Sequence, residues 1–274
     1  ETRQPLLYAV FSSFLVLSTL AVILRFISRS IARVGQHRDD IFIVIGWALY
    51  MAFIGVAIGD VKTSGLGLHQ ALVNPEMMQS WAKYVLAVAF LYVFSVVFPK
   101  IAVLSLYLSI FTRQRISRII CYVIGGLIVG NCLGCAGAAF ALCIPLESFW
   151  NPQIHGRCFD MNSWFRYARV INILSDIVLL VLPLPHVYHL QSPTRLKIGV
   201  LVTFLTGSLG LIASLITLFE FSRTNAVSDS TWTGALLILW AIIETGMYLI
   251  AACMISYPPL IKYIWKGLSR RPKG

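Results

Sequence analysis

The chain has 274 residues, of which 58% are hydrophobic and only 12% are charged, and its formal net charge is +11. Soluble domains carry about 25% charged residues, so this composition excludes an ordinary soluble protein and indicates an integral membrane protein. Membrane lipid is therefore the first partner that we expect.

Seven apolar runs come close to the ~20 residues that an α-helix needs to cross a bilayer. The first run is longer than the ~7 to 15 apolar residues of a signal peptide and has no cleavage site, so it predicts a transmembrane helix. We predict an all-α, seven-transmembrane helix bundle that forms a single domain over residues 1–274, in a chain trimmed at its ends because no initiator Met is present. In chain order the runs are Leu6 to Leu24, Ile41 to Ile58, Tyr84 to Ile110, Ile119 to Leu142, Trp164 to Leu182, Ile198 to Phe219 and Trp232 to Tyr257.

The distribution of Lys and Arg predicts the orientation of this bundle. Of the 22 basic residues, 14 lie in one set of connecting segments and 7 in the opposite set, with Lys100 inside the third run. Because positively charged loops stay on the cytoplasmic side, we predict an N-terminus outside and a C-terminus in the cytoplasm. Topology thus accounts for much of the net charge, and we expect no nucleic-acid partner.

Two outer loops are longer than the others, Gly59 to Lys83 and Cys143 to Asn162. Of the six cysteines, only Cys143 and Cys158 are placed outside the membrane, where conditions are oxidising. A disulfide between them is the favoured prediction, and two unpaired thiols are the alternative.

Short motifs follow one another along the chain in an order that is typical of one family. They are Asp39 and Asp40 at the second run, GLGLH (Gly65 to His69), PKIAVLSLYLSIF with Lys100, CIPLESFW followed by GRC, SDIVLLVLPLP around Asp176, and DSTW before Trp240, Glu244 and Cys253. In this order they resemble the fungal rhodopsin-domain integral membrane proteins over nearly the whole chain. That family includes pathogenicity-related receptor-like proteins and members encoded in secondary-metabolite clusters.

Three positions depart from the usual residues of that family. Ser109 stands where an arginine is frequent, and Ile255 and Pro258 stand where a proline and an arginine are usual. A heterotrimeric G protein is therefore a partner that the resemblance allows but the sequence does not support.

The chemistry of a retinal protein is not expected, because the seventh run contains no lysine for a Schiff base. The spacing of His186 and His189 could hold a metal on a helix, but no Cys, Asp or Glu lies within several residues of them. We expect neither a cofactor nor a metal site.

Three charged residues fall deep within the predicted spans: Lys100, Asp176 and Glu244. Charges at such depth are costly, so they normally face the bundle interior and have partners. The first reading is a buried ion network, with Lys100 bridging Asp176 and Glu244. A second reading is a protonated carboxyl that acts as a general acid or proton relay, and a third is a directly bound polar ligand or ion.

A pocket that opens outward is the second candidate site. Glu220 and Arg223 lie one helical turn apart at the outer end of the sixth run, and they are either an exposed ion pair or part of the rim of that pocket. Aromatic residues near these ends are pocket candidates, although a belt at the membrane interface is the commoner role. The further candidates are Trp164, Arg166, Tyr167, Arg169, Trp232, Trp240 and Tyr248.

The resemblance favours a receptor-like or sensor protein in the plasma membrane that binds a small, largely apolar ligand in an outward-facing cavity. The alternative is a membrane-embedded biosynthetic enzyme of the acid-catalysed cyclase type, located in the endoplasmic reticulum. In that enzyme Asp176, Glu220 or Glu244 would protonate a lipophilic metabolite, and Trp240 or Tyr248 would stabilise the developing cation. Ion transport is a third class, but no repeat halves are visible.

Overall fold

The structure, a computed structural model, describes residues 2–33, 38–110, 115–151, 153–159, 161–184, 194–223 and 230–269. Within these ranges the chain forms eight α-helices, two short 3₁₀ turns and one two-stranded ribbon. The helices, α1 to α8 in chain order, are Gln4–Ala32, Arg38–Thr63, Pro75–Ile110, Arg115–Phe140, Met161–Val181, Thr194–Arg223, Ser230–Met254 and Pro258–Ser269.

Six of these helices, α1 to α4, α6 and α7, are long and apolar enough to cross a membrane. The all-α membrane bundle expected from the sequence is therefore confirmed. The fifth helix has 21 residues, but Arg166, Arg169 and Asp176 make it more polar than the other six. Its role as a seventh span, and the orientation of the termini, stay predictions.

Several helix boundaries differ from those expected. The predicted outer loop from Gly59 to Lys83 is shorter, because α2 continues to Thr63 and α3 begins at Pro75, a residue that favours the first turn of a helix. The last apolar run was expected to continue through Tyr257, but α7 ends at Met254. The residue before a proline avoids helical geometry, so Tyr257 separates α7 from the short helix α8, which the sequence analysis missed.

The seventh helix forms the centre of the bundle. In its most apolar stretch 61% of the residues are buried, against 28–33% in the other five apolar helices. The main core joins α7 to α1, α2 and α3, and a second cluster joins α3, α4 and α5. Large apolar residues on the outer faces of α1, α4 and α6 are exposed, as expected for surfaces that contact lipid chains.

The loop between α4 and α5 is closed by the predicted disulfide. Strands β1 (Cys143–Ile144) and β2 (Arg157–Cys158) pair antiparallel, with Cys143 opposite Cys158, and the two sulfur atoms are bonded. The prediction of this disulfide is confirmed. Phe149 of this loop and Phe159, which follows β2, line a cavity in the bundle.

The GLGLH loop between α2 and α3 ties together the beginnings of α1 and α7. The amide of Gly67 donates to the Thr231 carbonyl at 3.3 Å, and the Gly67 carbonyl accepts from the Arg3 amide at 3.1 Å. Gly67 has a φ of 88°, which strongly favours glycine. Both loops lie at the same end of the bundle.

Candidate functional site

A buried polar contact joins Lys100 of α3 to Asp176 of α5. The Lys100 Nζ lies 2.5 Å from Asp176 Oδ1, and the two side chains are only 2% and 3% exposed. Nζ also donates to Asn172 Oδ1 at 2.7 Å and to Ser175 Oγ at 3.3 Å. The hydroxyl of Tyr248 on α7 donates to Asp176 Oδ2 at 2.6 Å. The ion pair expected from the sequence is thus confirmed, and Asp176 points into the bundle.

A second ion pair lies beside the first. Glu244 of α7 is fully buried, and its Oε2 lies 2.6 Å from Nη1 of Arg169 on α5. The same Nη1 donates to the Tyr92 hydroxyl at 2.6 Å, and that hydroxyl donates to Glu244 at 3.1 Å. The expected contact between Lys100 and Glu244 is therefore wrong, because the cation that pairs with Glu244 is Arg169.

Asn172 joins the two ion pairs into one structure. Its Oδ1 accepts from Lys100, and its Nδ2 donates to Glu244 Oε1 at 3.0 Å. We call these five residues, Lys100, Arg169, Asn172, Asp176 and Glu244, the central network. It holds two cations and two anions, so its charges balance, and it connects α3, α5 and α7.

A cavity of about 570 Å³ lies between the central network and the disulfide loop. Its walls come from α3, α4, α5, α6 and α7, and Phe149 and Phe159 lie at the end near the loop. Most of the lining is apolar. On α5, Arg169, Asn172 and Ser175 lie on one helical face, since they are spaced three apart, and they form a polar patch on the wall.

The sequence model of one family, the fungal rhodopsin domain, matches residues 24–263. The chain belongs to this family. No solved structure matches it.

Three relatives of this fungal rhodopsin-domain protein have names that refer to a biosynthesis cluster, to a membrane-protein family and to a receptor. The polyenoic acids biosynthesis gene cluster protein Ba17b of Metarhizium anisopliae is 33% identical over 96% of the chain and 74% of the relative. A SAT4 family membrane protein of Emericella nidulans is 28% identical over 80% and 56%. The Receptor GIN3 of Arthrobotrys oligospora is 25% identical over 98% and 66%. The chain thus spans between about half and three quarters of each of these relatives.

The residues predicted for the pocket of this fungal rhodopsin domain lie in several places. Among the described residues, the cavity lining includes Arg169 but not Glu220 or Trp164. It also does not include four candidates that belong to the central network or contact it. Trp164 is 42% exposed, and the side chain of Arg223 is outside the described residues. These four candidates are three members of the central network, Lys100, Asp176 and Glu244, and Tyr248, which donates to Asp176.

Two of the tryptophans that were predicted to line the pocket pack against other side chains instead. Trp232 contacts the Arg3 guanidinium, 4.0 Å from its ring centre, and stacks on the His69 ring at 4.1 Å. Trp240 packs against the main core. Neither borders the described cavity.

The opposite end of the bundle has a second buried charge cluster that the sequence analysis did not predict. Arg25 of α1 lies 2.5 Å from Asp39 and 3.0 Å from Asp40 at the start of α2, and it donates to the Ala252 carbonyl of α7 at 2.8 Å. Arg29 pairs with both carboxylates. The spacing of the two arginines, four residues apart on one helical face, was the available signal.

Proposed function

We propose that this fungal rhodopsin-domain protein is a receptor-like sensor in the plasma membrane. It binds a small, largely apolar ligand in the 570 Å³ cavity, which opens toward the outer side. The observation that carries the proposal is the position of Arg169, which borders the cavity and also holds Glu244 of α7. A ligand that contacts Arg169 therefore acts on a contact between two helices.

The central network provides a physical route from ligand to helix arrangement. Its ion pairs cross from α5 to α3 and from α5 to α7, and no lipid can replace either partner. A ligand shifts an equilibrium between two arrangements only when it binds one of them more tightly. Contact with Arg169 supplies such a difference, because the Arg169 side chain is shared between the cavity and Glu244.

A biosynthetic enzyme is the second candidate, and the name of the Metarhizium relative favours it. A general acid must come within hydrogen-bond reach of its substrate. Asp176 and Glu244 instead lie against cations at 2.5 and 2.6 Å, and neither borders the described cavity. The geometry therefore supports ligand binding better than acid catalysis by these carboxylates.

Filling the cavity tests the proposal. Ala89→Phe places a ring inside the cavity from α3, whereas Ala52→Phe makes the same change on an exposed position of α2. In lipid nanodiscs, lipophilic extracts of the native environment should raise the melting temperature of the wild type and of the Ala52→Phe control. They should not raise that of Ala89→Phe.

Mass spectrometry of the bound compound then separates the two candidates. A sensor returns its ligand unchanged, whereas an enzyme converts it. Equal stabilisation of both phenylalanine variants would place binding elsewhere and overturn the proposal.

A further inference from the structure

The polar patch on the cavity wall has unused hydrogen-bonding groups of one kind. Both ends of the Asn172 amide are occupied, by Lys100 and by Glu244. Ser175 accepts from Lys100 and donates to the Asn172 carbonyl at 2.6 Å. The Tyr92 hydroxyl accepts from Arg169 and donates to Glu244. These three side chains therefore have few free donors or acceptors for a hydrogen bond to a ligand.

Arg169 is different, because a guanidinium carries five N–H donors on three nitrogens. Among the described residues, its hydrogen bonds with Tyr92 and Glu244 use Nη1 alone, and its carbon Cζ lies 4.9 Å from the centre of the Tyr92 ring. The side chain is 17% exposed, whereas the side chains of Lys100, Asp176 and Glu244 are 0–3% exposed. The N–H groups of Nε and Nη2 are thus the donors that the central network leaves for the cavity.

The charge balance of the central network restricts what can accept from these donors. Two cations already face two anions within the network. A carboxylate placed against Arg169 would add a third anion in an apolar cavity, where an uncompensated charge is costly. A neutral oxygen accepts the same hydrogen bonds and leaves the balance unchanged.

We propose that the ligand is a neutral lipophilic molecule with a carbonyl oxygen at one end, as in a ketone, ester, lactone or aldehyde. The oxygen accepts from Nε and Nη2 of Arg169, and the apolar body packs against apolar lining residues such as Val93, Ile128 and Ile238. The volume of about 570 Å³ lies within the range of pockets that enclose drug-sized molecules. This inference rests on the proposed function, because it names the ligand class of the same cavity.

Three probes with the same chain length test the ligand class: 2-tridecanone, tridecane, and tridecanoate at a pH where it is ionised. Each is titrated against the protein in nanodiscs, the melting temperature is followed, and concentrations are expressed per lipid. The ketone should bind the wild type at least about tenfold more tightly than the alkane, which is the lower limit for the effect of a hydrogen bond to a charged group. Tridecanoate should bind more weakly than the ketone.

Two variants assign this preference to Arg169. Arg169→Met combined with Glu244→Gln removes both charges together, so no unpaired ion is left, and the ratio of ketone to alkane affinity should fall toward one. Arg169→Lys keeps the charge but lacks the planar set of donors, and it should reduce the ratio if the double variant does not fold. An unchanged ratio in both variants would overturn the role of Arg169.

The outcomes separate this inference from the proposed function. If all three probes bind with equal affinity to the wild type and none binds to Ala89→Phe, the cavity is a binding site but the ligand class is wrong. The class is also wrong if tridecanoate binds most tightly. If no probe shows saturable binding, both the ligand class and the proposed function are overturned.

Discussion

Replacing Asp176 with asparagine removes the counter-charge of Lys100 and keeps the size of the side chain. The Tyr248 hydroxyl, which donates to Asp176 Oδ2 at 2.6 Å, can donate equally to an amide oxygen. The change therefore removes the negative charge and leaves one acceptor in place of two, because the amide nitrogen is a donor. It leaves an ammonium group whose side chain is only 2% exposed facing neutral partners.

The expected cost follows from the surroundings of Lys100. Removing one partner of a buried ion pair destabilises by about 3–5 kcal/mol. Lys100 keeps Asn172 Oδ1 at 2.7 Å and Ser175 Oγ at 3.3 Å as neutral acceptors. The loss in the free energy of unfolding should therefore lie near the lower limit, about 3 kcal/mol.

A second change should reverse most of this loss. Adding Lys100→Met to Asp176→Asn removes the unpaired cation, so we expect about 2 kcal/mol to return. About 1 kcal/mol should stay lost, because Asn172 Oδ1 then has no donor from Lys100. Unfolding by SDS in mixed micelles measures Asp176→Asn, Lys100→Met and the double variant. Glu76→Gln, the matching change at an exposed position of α3, should alter stability by no more than about 0.5 kcal/mol.

Two results would contradict this reasoning. One is a loss below about 1 kcal/mol for Asp176→Asn, which is the range of exposed ion pairs. The other is a double variant that is at least as unstable as the sum of the single variants. A single variant with normal stability and no ligand response, not rescued by Lys100→Met, would instead indicate that Asp176 donates a proton.

Three further predictions use other parts of the molecule. Arg25→Met should reduce the free energy of unfolding by about 3–5 kcal/mol, because it leaves the carboxylate pair at the start of α2 with one arginine. Arg118→Met, at an exposed position, should have little effect. Equal losses for the two variants in SDS unfolding would disprove the stabilising role of the Arg25 cluster. Gly246→Ala should cost about 1–3 kcal/mol in the same assay, because a Cβ there would lie 2.4 Å from a ring carbon on α1. Gly126→Ala, with nothing within 4 Å, should be neutral or stabilising. A neutral Gly246→Ala would show that α7 and α1 do not approach so closely. A C-terminal epitope should resist protease added to intact cells and be cleaved after permeabilisation, and cleavage in intact cells would reverse the predicted orientation.

The fold could be predicted well because the signals for it are local. A run of about 20 apolar residues is itself the requirement for crossing a bilayer, so the six apolar helices were visible without knowledge of their neighbours. The disulfide was predictable for a similar reason, since only Cys143 and Cys158 were placed where oxidation occurs. The ends of the helices were less predictable, because amphipathic turns such as the start of α3 extend beyond the apolar run.

The sequence also determined that Lys100, Asp176 and Glu244 would need partners, because burial of a charge is costly wherever it occurs. Only the tertiary structure decided which partners they have. Arg169 was visible as a basic residue near a helix end, yet its pairing with Glu244 depends on how α5 and α7 are rotated toward each other. Helical periodicity tells which residues share a face, but the neighbour of that face is set by packing between helices distant in the sequence. The cavity has the same origin, since its volume is what five packed helices leave unfilled.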